Sequence, residues 1–149
     1  MTTITVRRAG VEDLDALVPL FDAYRVFYEQ PSDLERARTF LSERLSADES
    51  VVFIAEAEGE AVGFTQLYPT FSSTRTGPIF TLNDIYVRPE IRGGGVGRAL
   101  LEAAAEHGRS VGAIRLTLTT ARNNSVAQGV YEANGWKRDD VFYTYNLAL

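Results

Sequence analysis

Two periods of apolar residues take turns along this chain, and they order its elements. The stretch ITVRRA alternates from Ile4 and predicts a first strand. In GVEDLDALVPLFDAYRVFYEQ, Leu14, Leu17, Val18, Phe21, Tyr24 and Tyr28 recur at helical spacing, with Asp13 placed to help the helix start. Pro19 lacks the amide hydrogen that the helix needs there, which predicts a kink or break near residue 18. PSDLERARTFLSERLS follows, with Ser32 as a capping residue and Glu35 three positions later, a capping box that opens a second helix to about Ser46.

Period two then takes over. SVVFIAEAEGEAVGFTQLYPTF reads as two antiparallel strands turning at Glu58, Gly59 and Glu60. The loop SSTRTGP leads to another strand, IFTLNDIYVRP, which runs into consecutive glycines and a helix over 96–107. AIRLTLTT, rich in β-branched residues, is the next strand. NNSVAQGVYEANGW supplies a fourth helix, capped by Asn123 or Asn124 and stopped near Gly135, and DVFYTYNLAL closes the chain as a last strand. The order βααβββαβαβ places the glycines in a strand, crossover helix, strand unit whose two strands run parallel.

With 149 residues, 45% of them hydrophobic, the chain suits one compact α/β domain over 1–149. No apolar run approaches the roughly 20 residues a membrane span needs, and MTTITVRRAG lacks the apolar middle of a secretion signal, so a cytoplasmic protein with no membrane partner is expected. Cysteine is absent, which removes thiolate nucleophiles and thiolate metal sites and leaves oxygen and nitrogen groups to do any chemistry. A net charge of −5 disfavours nucleic acid and mildly favours cationic partners. His107, the only histidine, precedes Gly108 at a helix end, where a cation complements the dipole. It reads as structural, and no metal is expected.

The chemistry concentrates in RGGGVGRALLEAAAEHG, residues 92–108. A strand that ends in glycines and feeds a helix presents free amides and the positive end of the helix dipole at one point, where phosphate oxygens fit. Gly93, Gly95 and Gly97 let a ligand reach the main chain, and Arg92 and Arg98 add charge. Glycines at such a turn also serve tight packing, and the sequence leaves both roles open. A nucleoside-triphosphate loop needs G-x-x-x-x-G-K-[ST], and no Lys-Ser or Lys-Thr pair follows. A dinucleotide loop needs G-x-G-x-x-G, but Gly93 and Gly95 are followed by Arg98, and Gly95 and Gly97 by Leu100.

What remains is R-x-x-G-x-G, matched by Arg92, Gly95 and Gly97, within DIYVRPEIRGGGVGRALL. A second pattern, N-x-x-A-x-x-x-Y-x-x-x-G-[FW], is matched by Asn124, Ala127, Tyr131, Gly135 and Trp136. In both, in this order, the chain resembles the GNAT superfamily of acyl-CoA N-acetyltransferases. AYRVFYEQPSD and GFTQLYP also resemble a bacterial branch related to yeast histone and polyamine acetyltransferases. The resemblance implies a mixed, mostly antiparallel sheet of about six to seven strands with four helices. It also implies acetyl-CoA as cofactor, transfer to a small primary amine, and a homodimer.

Site residues follow from the same resemblance. The cofactor's pyrophosphate is expected on Arg92, Gly93, Gly94, Gly95, Val96, Gly97 and Arg98, and its pantetheine arm along the backbone of Ile85, Tyr86 and Val87. Thr119, Asn124, Ala127 and Gln128 line the other side of the cleft. Tyr131 matches the family's general acid and, seven residues after Asn124, shares its helix face. The family's glutamate in L-E-D-[LF]-[FY]-V is replaced here by Asn83, so the base is Asp84, a water chain or Glu29. Asp84 does not simply replace Asn83, because successive strand residues face opposite sides. Loss of that glutamate also leaves open a non-catalytic acyl-CoA sensor or interaction module. Tyr24, Phe27, Tyr28 and Glu29, faced by Tyr68, Phe71 and Asn83, form the expected acceptor wall, where aromatic rings and a carboxylate suit an ammonium group. Packing of Tyr24 and Tyr28 in the core is the plain alternative.

Overall fold

The computed structural model describes residues 3–149, which divide into two compact units at Thr119/Thr120. The first holds a five-stranded sheet in chain order: β1 (Ile4–Arg8), β2 (Val51–Ala57), β3 (Glu60–Ser72), β4 (Gly77–Val87) and β5 (Arg115–Thr117). Neighbours pair antiparallel except β4 and β5, which run parallel as the crossover through α3 (Val96–Ser110) requires. Helices α1 (Leu14–Phe27) and α2 (Leu34–Ser46) lie between β1 and β2 in sequence.

The two faces of the sheet carry separate cores. Leu17, Leu20 and Phe21 of α1 and Leu41 of α2 bury themselves against Val52, Ile54 and Phe64. On the other face Val96 and Leu100 of α3 pack with Ala55, Ala57 and Val62. Both faces of β3 are thereby covered, which is why Phe64, Thr65, Gln66 and Leu67 are all buried in succession.

The hairpin between β2 and β3 turns on Glu58 (φ 53°) and Gly59 (φ 80°), two left-handed residues in sequence, the type I′ geometry that matches strand twist. β3 and β4 extend further than the pattern predicts. SSTRTGP is not a loose loop: the strands continue to Ser72 and from Gly77, joined by a turn in which Thr76 N donates to Ser73 O (3.2 Å).

Three further expectations are corrected. Pro19 does not break α1, which is continuous from Leu14 to Phe27. Pro19 and Asp15, whose carbonyl loses its helical donor, lie on the exposed side, where that carbonyl is open to solvent. The cap of α2 is Asp33, whose carboxylate accepts from Arg36 N (3.0 Å). Ser32 instead donates its hydroxyl to Asp22 (2.6 Å), and Asp22 also accepts from Asp33 N (2.8 Å). That buried carboxylate ties the α1–α2 connection together. The last strand in DVFYTYNLAL is absent among the described residues, giving five strands instead of six to seven. Apolar alternation marks a segment able to pair, but a strand exists only through ladder bonds to a partner.

The second unit is built on α4 (Ser125–Ala133). Asn124 is its cap, accepting from Ala127 N (3.2 Å), and Gly135 (φ 91°) follows its end, where Trp136 N returns to Tyr131 O (3.1 Å).

Candidate active site

The glycine loop leaves β4 through a short 3₁₀ turn, Pro89–Ile91, and enters α3 at Gly95. Gly93 (φ 87°) and Gly95 (φ 88°) hold left-handed backbone that a side chain disfavours. Packing does not explain the glycines: a Cβ added at 93, 95 or 97 meets nothing within 4 Å. Gly97 has neither a positive φ nor a neighbour, so neither backbone strain nor packing requires glycine there.

The first helical bond after the loop runs from Ala99 N to Gly95 O (3.0 Å), which leaves the amides of Val96, Gly97 and Arg98 at the dipole's positive end. Val96, fully buried against Leu100, anchors the loop from beneath. Arg98 pairs with Glu102 (3.0 Å), and Arg92 lies over the Tyr86 ring (5.5 Å) while its Nε donates to Val87 O (2.9 Å). Of the three expected backbone partners in Ile85, Tyr86 and Val87, the Val87 carbonyl is thus covered by a side chain of the loop. The loop thus presents an open, glycine-lined helix entrance flanked by the guanidinium groups of Arg92 and Arg98.

Further back, within β4, Asn83 and Asp84 mark a second, different place. The β3–β4 register pairs Gln66 with Asp84 and then Leu67 with Leu82, so Asn83 is the extra residue of a β-bulge. Asn83 is exposed and Asp84 is buried. The two side chains nonetheless meet, Asn83 Nδ2 donating to Asp84 Oδ1 (2.9 Å), while Gln66 Nε2 donates to Asp84 Oδ2 (2.5 Å). Burial pushes the Asp84 carboxyl above the usual carboxylate range, opposed by the donors on Gln66, Asn83 and Tyr24.

Tyr24 crosses from α1 to this bulge and donates its hydroxyl to Asn83 O (3.1 Å). Its ring packs edge-on against Phe64 (5.9 Å) and Tyr28 (5.1 Å). Burial and the Asp84 charge hold its phenol well above the ordinary tyrosine range, and push Tyr68 up to about 12. Tyr24 therefore packs with the core while its hydroxyl reaches the bulge, whereas Tyr28 and Phe27 are about half exposed and meet edge to face (5.2 Å). Glu29 (φ 64°) is exposed just past the end of α1. Phe71 is not brought to the bulge: it pairs opposite Pro78 at the other end of the ladder and is 77% exposed.

In the second unit, Gln128 Nε2 donates to Ala121 O (2.9 Å) and Arg122 O (3.0 Å), fixing the turn that Asn124 caps. Tyr131 faces Trp136 at 6.2 Å between ring centres. Thr119 ends the first unit outside any strand or helix. His107 packs edge-on between Phe53 (5.8 Å) and Phe80 (5.5 Å), and burial lowers its proton affinity, which bears out a structural role but not a cationic one.

Sequence reasoning missed Gln66. Its one signal is an amide in the middle of GFTQLY, at a position where the rest of the strand is buried.

Comparison with known proteins gives these arrangements a common origin. The family model described as Acetyltransferase (GNAT) family matches residues 15–136, which include both the glycine loop and α4. An uncharacterized N-acetyltransferase, YhfO of Bacillus subtilis, is 47% identical over 97% of both chains. The aminoglycoside N(6′)-acetyltransferase type 1 of Salmonella typhimurium is 30% identical over 68% of this chain and 73% of its own. A crystal structure of a probable acetyltransferase superposes with a TM-score of 0.92 at 41% identity, covering 97% of each chain. No helix among the described residues is long and apolar enough to cross a membrane. The chain belongs to the GNAT family of acetyltransferases, whose acetyl donor is acetyl-CoA.

Proposed function

We propose that residues 1–149 work as one domain that transfers an acetyl group to a small primary amine, a polyamine, an amino acid or a similar compound. The observation that carries the reading is the glycine loop at the mouth of α3, where Gly93 and Gly95 hold left-handed backbone and a Cβ at 93, 95 or 97 would meet nothing, which leaves the helix entrance open to a ligand. Amides from Arg92 to Arg98 hold the cofactor's phosphates, the backbone of Ile85, Tyr86 and Val87 takes the pantetheine arm once Arg92 releases Val87 O, and Thr119, Asn124, Ala127 and Gln128 are the further candidates for cofactor contact. When bound, acetyl-CoA supplies an acetyl group activated as a thioester.

Around it, this chain's own groups move protons and orient the acceptor. An amine reaches the site as an ammonium ion and must lose a proton before its nitrogen can attack. Asp84 is the base: its carboxyl, raised by burial, exchanges protons nearer neutral pH than an exposed aspartate does. Asn83 contributes through its bulge and its hydrogen bond to Asp84 rather than by taking a proton. Tyr131 holds a proton on its phenolic oxygen as general acid. Tyr24, Phe27, Tyr28 and Tyr68, with Glu29, receive the ammonium through ring faces and charge. The aminoglycoside acetyltransferase among the relatives supports a polyamine-like acceptor. A cytoplasmic homodimer completes the proposal, supported by the family resemblance.

Thiol release measured over polyamines, amino acids and aminoglycosides tests it. One class is expected to raise release well above the rate without acceptor, and Tyr131→Phe to cut turnover while leaving coenzyme A binding nearly intact. Binding of coenzyme A with no acceptor raising release would instead favour the sensor reading, for which the missing glutamate at Asn83 speaks.

A further inference from the structure

Gln66 is completely buried, yet only half of its amide is used. Its Nε2 donates to Asp84 Oδ2, whereas Oε1 is buried with no hydrogen-bond partner. Buried amide carbonyls are normally satisfied, and a leucine or methionine would fill the same space with no such cost. Its neighbours on the same face of β3 are Phe64, which belongs to the apolar core, and Tyr68, which feels the Asp84 charge. Some property of the amide must therefore justify its presence.

The partner supplies the reason. As a carboxylate, Asp84 can only accept, and it needs the N–H of Gln66. Once Asp84 takes a proton on Oδ2 it has an O–H to donate there, and the same amide N–H then confronts a donor. The terminal torsion of glutamine is soft and two-fold. A half-turn exchanges Nε2 for Oε1 and turns the mismatch into a hydrogen bond in the opposite direction. No other residue of this size does both: methionine does neither, and a lysine would pin the charged state.

We infer that Gln66 is the positioning residue for Asp84, its amide turning over to hold the carboxyl in place in both its charged and its protonated state. The inference rests on the reading of Asp84 as base. In the proton step the ammonium N–H bond breaks and the Asp84 Oδ2–H bond forms; the amide then reverses, and it reverses again when the proton leaves. The unpartnered Oε1 is the acceptor held ready for that second state.

The groups that bear on this carboxyl are few. Tyr24 faces it from α1, with Tyr28 against Tyr24. Tyr68 feels its charge from β3 and is influenced in turn by Arg44 of α2. Asn83 donates from β4, and Thr65 Oγ1 binds the Asp84 carbonyl rather than its side chain (2.8 Å). Both phenols stay protonated across the working range, so the carboxyl titrates alone and the amide follows it.

Carboxyl ¹³C and side-chain amide ¹⁵N–¹H resonances, followed against pH in the labelled full-length protein, test this without any acceptor. In the wild type the Gln66 amide pair is expected to move with the same midpoint as the Asp84 carboxyl. In Gln66→Met that midpoint rises by about one unit, because a donor to the charged form is lost. The acid limb of kcat/KM for spermidine, or for another amine that proves a better acceptor, rises by the same amount. A Gln66 amide that stays still while Asp84 titrates overturns the inference in the wild type alone, even if the variant does not fold. An unchanged midpoint in a folded Gln66→Met overturns it equally. The two readings fail separately. Full turnover in Asp84→Asn removes the base and leaves the amide coupling intact, whereas an uncoupled amide removes Gln66 and leaves the base.

Discussion

The two faces of β3 and β4 do different work with neighbouring residues. Toward α3 the face is apolar, with Gly63 letting Val96 and Leu100 come close; toward α1 and α2 it begins as a core at Phe64 and then turns polar at Gln66 and Asp84. The first arrangement places a helix entrance, and with it the glycine loop, through packing alone. The second keeps a charge-bearing group out of water, at a cost in stability, so that its proton affinity changes. One face is tuned for position and the other for chemistry, and substitutions should separate the two.

The largest effect is expected from Asp84→Asn. Removing a positioned base typically slows turnover by about 10²–10⁴-fold, while coenzyme A affinity, set on the other face and at the loop, stays nearly unchanged. Steady-state kinetics beside calorimetry with coenzyme A check both halves. Parallel losses in turnover and cofactor binding would show that the two faces are not separable in this way.

Leu100→Ala inverts the pattern. A fully buried leucine cut back to alanine costs about 2–5 kcal/mol through lost burial and the cavity left behind. Urea denaturation should show that loss, with the pH profile of the remaining activity unmoved. A displaced acid limb would mean that packing against α3 also sets the Asp84 niche.

Gly63→Ala comes next. A Cβ there would stand 2.8 Å from Tyr86 O and 3.2 Å from Val96 Cγ1, and the first of these is backbone that cannot swing away. Overpacking of this kind costs about 1–3 kcal/mol and pushes β4 and α3 apart, so coenzyme A affinity should fall with stability in the same titrations. Stability lost with affinity intact would show that loop placement tolerates movement of α3.

The same contrast explains what the sequence revealed. Gly93 and Gly95 were legible because their backbone demand is local, and Tyr24 and Tyr28 because helical spacing puts them on one face. Asp33 displaced Ser32 as cap because Asp22, ten residues earlier, claims the serine hydroxyl, a contact that no local pattern carries. Pro19 leaves α1 unbroken because the cost of a proline depends on whether solvent reaches the freed carbonyl, which local sequence does not tell. The last strand failed for want of a partner, since alternation describes one edge of a ladder only. Gln66 was invisible for a related reason. One polar residue in an apolar strand gains meaning only when the register sets it opposite Asp84, and the register depends on a bulge at Asn83 that the sequence does not announce.

The smallest expected effect is the most direct measure of the polar face. Burial raises the Asp84 carboxyl in the folded chain, so between the ordinary aspartate range and that raised value the native protein keeps a proton that the unfolded chain has lost. Stability from this group therefore falls as pH rises through that window, and the penalty stays constant above it. Asp84→Asn carries no such penalty, and a reversed Gln66 amide can accept from the new Nδ2. The variant should melt a few degrees above the wild type at neutral pH, with the difference shrinking as pH drops below the aspartate range. A difference that grows toward low pH would mean that the charged carboxylate is the form the fold prefers, and with it the distinction between a packing face and a chemical face would disappear.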